Sequence, residues 1–462
     1  MIEVTVEQLV SMAEGNLLQG SPSVQINGVA TDSRAELAGR LFVPLIGERF
    51  DAHEFLADVV SKGAAAALWQ KDRPLPEGLD PDFAVIGVDD TIVALQKTAA
   101  AYRRSLSLTV VGVTGSNGKT STKDILASVL SQQFQVQKTQ GNLNNHIGLP
   151  LMVLSLRPET DVAILEMGMS GPGEIALLAR IAAPQIGIIT YIGEAHIEFF
   201  GDRSGIAAAK FELVEALPPD GLAVLFGDEP LLRGLAAKSP CPIRWFGFQE
   251  GNDVQVTHLQ ALGLKGSRFQ VNGDAESYHL PVPGAHQVGN ALAAVAVAKY
   301  LGMLPESIER GLQNAALSSM RLEVKPLPGG GFVVNDAYNA SPTSMRAALR
   351  MIADTPEGDF KAAVLGDMLE LGEHAVDMHY QLGQTAAEQK IDLLVAIGQH
   401  AGHIAAGAKQ GGLAANQIFV AETKQDAVAY VKRVISQKQN PVVLVKASRG
   451  MKLEEVVTGL LA

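Results

Sequence analysis

Apolar and polar positions alternate along this chain with two periods, and the change from one to the other marks its elements. Residues 1–20 read as a short strand and a helix. Residues 24–30 read as a strand, followed by the polar run TDSR at 31–34. LFVPLIG, from Leu41, predicts another strand, and in FDAHEFLADVVSKG the residues Phe55, Val59 and Val60 share one helical side. AAAALW, ending at Trp69, reads as a strand, and the Pro- and Asp-rich DRPLPEGLDPDF after it is expected to separate small lobes. From residue 108 the texture becomes regular: the β-rich LTVVGV, a Gly-rich turn, then the helical STKDILASVLSQQF. Apolar runs at 161–168, 186–193 and 222–228 alternate with the helical GEIALLARIA and GIAAAKFELVEAL. Such alternation predicts a mainly parallel sheet covered by helices. Short strands are expected across 243–283, then an apolar helix in GAHQVGNALAAVAVAKYLG. From residue 318 the α/β texture repeats in KAAVLGDM, IDLLVAIG, QIFVAE and PVVLVKAS, which predicts a second doubly wound sheet.

The expected fold is therefore α/β in three domains: a small α/β N-terminal lobe over 1–104, a central parallel-sheet domain over 105–317 and a Rossmann-like α/β domain over 318–462. A length of 462 residues agrees, at about 150 residues per domain. The single cysteine, Cys241, excludes an intramolecular disulfide and Cys-based zinc sites, and reads as a free thiol in a reducing compartment. With 37 Lys plus Arg against 49 Asp plus Glu the net charge is −12, a poor balance for general nucleic-acid binding. Phosphate ligands would have to be held by local sites against that field. The acidic start MIEVTVEQLVSMAEGN does not resemble a signal peptide, and no run of about 18 uncharged apolar residues suggests a membrane span. The expected location is the cytoplasm.

The strongest chemical signal is GSNGKT at 115–120, between a buried strand and a helix. Gly115 and Gly118 let the backbone fold around phosphate, and the amides of Ser116, Asn117 and Ser121 sit where a helix N-terminus attracts anions. Lys119 would reach the β/γ-phosphates, and the Thr120 hydroxyl would bind Mg²⁺. The spacing is shorter than the usual phosphate loop, since Val113 stands where that pattern wants glycine. Glu166 ends one apolar strand and His196 follows another, at the strand ends that line a ligand crevice; either is a candidate Mg²⁺ ligand, or else a loop acid and a core histidine. Lys210 lies on an apolar helical face, where a lysine must snorkel, pair or be modified. GNLNNHIGLP at 141–150 offers many donors and acceptors, to a polar ligand or to its own turn. Asn290, four residues after His286, has helix capping as its plain role. Arg321, Asp336 with Asn339, and Lys446 with Arg449 would supply charges from the last domain. Residues alone reach a Mg-ATP-using α/β enzyme, with a nucleotide-driven switch protein still open.

The order of these motifs resembles the ATP-dependent Mur ligases, and within them the MurF type. VTGSNGKTSTK is similar to that family's shortened phosphate loop. TQGNLNNHIGLP, LEMGMSGPGEIA, GEAHIEFFGD, NALAA, MRLE, NDAYNASPTSM, LGDMLELGE and VLVKASRGMKLE resemble its segments along nearly the whole chain. The resemblance implies a UDP-sugar-binding lobe, a central P-loop ATPase domain and a C-terminal ligase domain that swings in. It implies ATP and Mg²⁺ as cofactors, UDP-MurNAc-tripeptide and D-Ala-D-Ala as substrates, and a monomer. By position it assigns ATP phosphates to Lys119 and the loop amides, one Mg²⁺ to Thr120 and Glu166, and the second to His196. Lys210 matches the lysine carbamylated in related Mur ligases. Asn290 is assigned to adenine, Arg321 and Asp336 to ATP, and Lys446 and Arg449 to closing over the substrates. Asn142 and Asn145 are assigned to the sugar-peptide, and Ser33, Arg34 and Arg49 to uridine diphosphate. Tyr191 departs from the family, which often has Asn there. Some sister ligases that add diaminopimelate carry Asp-Asn-Pro-Arg, which is absent here.

Overall fold

A computed structural model describes residues 1–47, 50–195 and 197–462. Two of the expected site residues, Arg49 and His196, lie outside the described residues. The chain forms two compact units, one of Met1–Val113, Phe134–Gly187 and Glu212–Leu222, the other of Thr114–Gln133, Ile188–Phe211 and Ala223–Ala462.

In the first unit a five-stranded sheet runs in the order Asn16–Gln19, Ala84–Val88, Ala66–Gln70, Leu41–Phe42, Val29–Ala30. The strand expected over 24–30 is two pieces, because Gly28 turns the backbone to φ +96° between Gln25–Asn27 and Val29–Ala30. Of the LFVPLIG run, Leu41–Phe42 joins the sheet, and Ile46 makes an isolated bridge to Asp51. The DRPLPEGLDPDF stretch is not a boundary between lobes. It is a loop inside this sheet, since Ala66–Gln70 and Ala84–Val88 on either side pair in parallel. Phe42, Leu56, Val59, Trp69 and Val85 pack into one apolar cluster. The helix Thr91–Ser105 then leads to Thr109–Thr114, the strand before the glycine-rich turn. Within this unit Val162–Glu166 pairs in parallel with both Thr109–Thr114 and Val136–Lys138. It is buried throughout, as expected of a parallel strand covered on both faces.

The second unit holds the helix Lys119–Leu130 and the buried helix His286–Tyr300, apolar almost all round from Gln287 to Ala298. The short strands expected across 243–283 are Ile243–Gly247, Val254–Ala261, Ser267–Val271 and Ser277–Leu280. The last three of these pair antiparallel in succession. The C-terminal sheet has six strands in the order Glu323–Pro326, Phe332–Asn335, Pro441–Lys446, Phe360–Leu365, Leu393–Ile397, Ile418–Ala421. Its ladders are parallel except the first. Side chains alternate across it: Val442 and Leu444 join one apolar cluster, Val443 and Val445 the other. Among the described residues no helix is long and apolar enough to cross a membrane.

Candidate active site

The glycine-rich turn is built by two positive backbone angles and a helix start. Gly115 has φ +151° and Gly118 +86°, and Gly118 caps the helix that opens at Lys119. A side chain on Gly115 would strike the Thr190 hydroxyl, and one on Gly118 the Asn290 carboxamide. Thr190 Oγ1 donates to the Asn117 carbonyl (2.5 Å), and the Ser116 amide donates to the Tyr191 carbonyl (2.7 Å). The loop is thus pinned from both sides, and its open end presents the N-terminus of a 12-residue helix. Lys119 Nζ donates to the Gly115 carbonyl (2.7 Å), so the ammonium folds back over the loop. Thr120 and Ser121 are buried in the first turn.

Asn290 supports this loop from behind. It is buried, its Oδ1 accepts from the Thr122 hydroxyl (3.1 Å), and its Nδ2 donates to Gln287 Oε1 (2.7 Å). Tyr191 OH donates to the His286 carbonyl (3.1 Å), its ring packs edge-on against Phe226, and burial raises its pKa. Loss of hydration pushes the half-buried His286 imidazole down to about 4, although Asp336 pulls it back; Lys446 adds to the depression. Lys210 is buried on the helix Arg203–Glu215. Burial, reinforced by the charge of Lys119, pushes its pKa well below the ordinary range.

The C-terminal candidates cluster within the same unit. Lys446 is buried and donates to Asp336 Oδ2 (2.6 Å) and the Asn339 carbonyl (2.9 Å). Asp336 Oδ1 accepts from the Leu322 amide (3.2 Å). Arg321 lies between two residues in the left-handed region, Met320 (φ 61°) and Leu322 (φ 51°). Its guanidinium sits 4.2 Å over the Tyr338 ring, and its Nε is buried without a partner among the described residues. Strained backbone of this kind collects at functional sites, where the surroundings over-determine it. Arg449 instead pairs with Glu454 (2.7 Å) at the surface.

In the first unit Glu166 ends its strand buried, and the 139–144 segment holds it. Its amide donates to Thr139 Oγ1 (2.8 Å), and Asn144 Nδ2 donates to Glu166 Oε1 (3.0 Å). The Gly168 amide donates to the Asn144 carbonyl (2.8 Å), and a side chain on Gly168 would crowd the Asn144 carboxamide. Asn144 is therefore the asparagine that reaches Glu166, and sequence reasoning passed over it for its neighbours. Asn142 is exposed, and Asn145 Oδ1 accepts from the amides of Ile147 and Gly148 at the start of Gly148–Leu154. Glu166 offers carboxylate oxygens, the chemistry that suits Mg²⁺, which is commonly held by one or two carboxylates plus substrate phosphates. Ser33 lies beside Arg34, which is 86% exposed and makes a two-toothed contact with Asp32 (2.9 and 2.9 Å). That contact holds the Asp32 carboxyl down at about 2.

Two residues that sequence reasoning left unassigned, Glu194 and Ser341, join the phosphate-loop region to the C-terminal domain. Glu194, in the GEAH segment, accepts from Thr343 Oγ1 (2.5 Å) and Arg346 Nη2 (3.2 Å). Burial works to raise its pKa, and the Thr343 hydroxyl, its own backbone amide and Arg346 together outweigh that and leave it below the ordinary value. Ser341 Oγ donates to Asn117 Oδ1 (2.9 Å).

Comparison with known proteins agrees with this geometry. Residues 113–298 match the Mur ligase middle domain, and residues 320–449 the Mur ligase, glutamate ligase domain. The chain is 42% identical to the UDP-N-acetylmuramoyl-tripeptide–D-alanyl-D-alanine ligase of Bacillus subtilis (strain 168), over 100% of this chain and 99% of that one. It resembles a crystal structure of MurF from Acinetobacter baumannii with a TM-score of 0.91 at 34% identity, over 100% and 99% of the two chains. It also resembles MurF ligase from Thermotoga maritima in complex with ADP, with a TM-score of 0.82 at 29% identity, over 94% and 97%. The chain belongs to the Mur ligase family, on its MurF branch.

Proposed function

We propose that this chain is an ATP-dependent ligase that joins D-alanyl-D-alanine to the terminal carboxylate of UDP-N-acetylmuramoyl-tripeptide, in the cytoplasm, giving the pentapeptide precursor of peptidoglycan. The observation that carries this reading is the phosphate loop of Gly115–Gly118–Lys119, built on a chain that matches such a ligase along its whole length. Residues 1–104 would hold the uridine diphosphate, 105–317 the ATP, and 318–462 would close over both.

A carboxylate is a poor acyl donor to an amine, so it must be activated. The tripeptide carboxylate attacks the γ-phosphorus of ATP, ADP leaves, and an acyl phosphate forms. The free amine of D-Ala-D-Ala then attacks the acyl carbon, phosphate leaves, and a peptide bond remains. The protein's part is positioning and charge neutralisation. Lys119 and the amides at 115–121 hold the phosphates, and Asn290 keeps the loop in shape from behind and borders the adenine. Arg321, with a buried Nε and a ring beneath it, and Asp336, fixed by Lys446, close on the nucleotide, with Arg449 at the rim. Mg²⁺, when bound, neutralises phosphate charge; Thr120, Glu166 and His196 would hold it. Lys210, whose burial disfavours the charged form, is suited to take up CO₂ as a carbamate, the amine nitrogen bonding carbon and a proton leaving to solvent. Arg34, together with Ser33 and Arg49, would trade its exposed contact with Asp32 for the diphosphate. Asn142 and the free amide of Asn145 would face the sugar-peptide.

Lys119→Ala tests the modular division. It is expected to lower ligation at least about a hundredfold by removing charge stabilisation in the transition state. The affinity for UDP-MurNAc-tripeptide, read by calorimetry, should stay unchanged; its loss would overturn this division of labour.

A further inference from the structure

The phosphate loop and the Gly193–Glu194 segment meet at one place, the start of the helix Pro342–Ala353. Ser341 caps that helix, and its hydroxyl donates to Asn117 Oδ1 (2.9 Å) across 224 positions of chain. Thr343 and Arg346, three apart and so on one helical side, both donate to Glu194. Arg346 Nη2 also donates to Thr343 Oγ1 (3.2 Å), which closes a triangle of three side chains. The carboxylate lies at the positive end of the helix, where its charge is favoured. Gly193 marks how closely the parts approach: a side chain there would lie 3.0 Å from Asn117 Nδ2, 3.4 Å from Thr343 Oγ1 and 3.5 Å from Ser116 Cβ. Glu194 is 18% exposed and Arg346 45%, so the pair is shielded on the carboxylate side only.

We propose that Ser341, Thr343 and Arg346 are a seating contact through which the C-terminal domain orders the phosphate loop and the Gly193–Glu194 segment, with Glu194 as its positioning residue. The contact makes seating of that domain a condition for holding the acyl phosphate away from water. It rests on the ligase reading above. When the seat is loose, water attacks the acyl phosphate, the tripeptide carboxylate is regenerated and phosphate is released without a peptide bond. Loosening should therefore separate phosphate release from product formation, which lost stability alone would not do.

The test uses the full-length enzyme with Mg-ATP, UDP-MurNAc-tripeptide and D-Ala-D-Ala, and measures phosphate and pentapeptide product together with melting temperature. Wild type should give one phosphate per product; failure to ligate at all would count against the ligase reading, not this contact. Thr343→Val and Glu194→Gln should lower kcat for ligation at least about tenfold, leave KM for the UDP-substrate unchanged and raise phosphate per product above one. Thr343→Ser, which keeps the hydroxyl, should restore wild-type behaviour. Glu194→Gln combined with Arg346→Met should be no worse than the more affected single variant, because both act on one contact. Wild-type kcat and stoichiometry in Thr343→Val and Glu194→Gln, or strictly additive losses in the double variant, would overturn the proposal.

Discussion

Asn144 and Asn145 are neighbours in the chain with different tasks. Asn145 accepts from the amides of Ile147 and Gly148, whereas Asn144 donates to the buried carboxylate of Glu166. A partner that orients a metal-ligating carboxylate is commonly worth ten- to a hundredfold in metal affinity. With Glu166 as the proposed Mg²⁺ ligand, Asn144→Ala is expected to raise the Mg²⁺ concentration for half-maximal activity, and for binding followed with Mn²⁺ by paramagnetic resonance, about tenfold. An unchanged cation requirement would remove Asn144 from the site. Gly118→Ala places a Cβ against Asn290 at φ +86°. It should weaken ADP binding at least about tenfold, and ADP affinity equal to wild type would contradict the loop geometry. The GSNGKT run was legible in the sequence because its chemistry and its turn requirement fall in one short stretch. The choice among Asn142, Asn144 and Asn145 was not, because three like side chains in one loop differ only in which of them meets the strand end. Glu194 was passed over for a similar reason: its partners lie about 150 residues away.

At the scale of elements, apolar periodicity identified the alternating strands and helices of both α/β regions. It failed where strands are short. Leu41–Phe42 and Val29–Ala30 are too brief to show a period, and their pairing is set by the sheet around them. The DRPLPEGLDPDF loop read as a boundary because proline and aspartate break elements wherever they occur; only the parallel pairing of the strands on either side shows that one sheet continues past it. The link between the ATP-binding and C-terminal regions is anchored in a way no local pattern predicts. Buried Asp124, on the helix that follows the phosphate loop, accepts from both the amide (2.8 Å) and the hydroxyl (2.7 Å) of Ser318. A hydrogen bond to a charged group contributes about 1.5–3 kcal/mol. Ser318→Ala should lower unfolding free energy by that amount in urea titration, and a loss below about 0.5 kcal/mol would show the anchor to be idle.

For the whole molecule, His286 supplies a pH dependence with a definite sign. An unfolded histidine takes up its proton near pH 6.5 and this one near 4. Between those values the unfolded chain binds more protons, so acidification favours unfolding. The stability contribution is complete above about pH 6.5 and is lost as pH falls toward 4, at up to about 1.4 kcal/mol per pH unit. His286→Gln should flatten that part of the profile in urea titrations at stepped pH; a profile parallel to wild type would mean the imidazole is not held neutral. The fold and the phosphate loop make the chain an ATP-using member of its family, and the choice of substrates is what a reaction must show. The most direct measurement is phosphate release from Mg-ATP with UDP-MurNAc-tripeptide and D-Ala-D-Ala, omitting each in turn and weighing the product. Release that requires both, with a product of the mass of UDP-MurNAc-pentapeptide, is the predicted result. Release indifferent to D-Ala-D-Ala, or a product built with another amine in its place, would contradict the assignment.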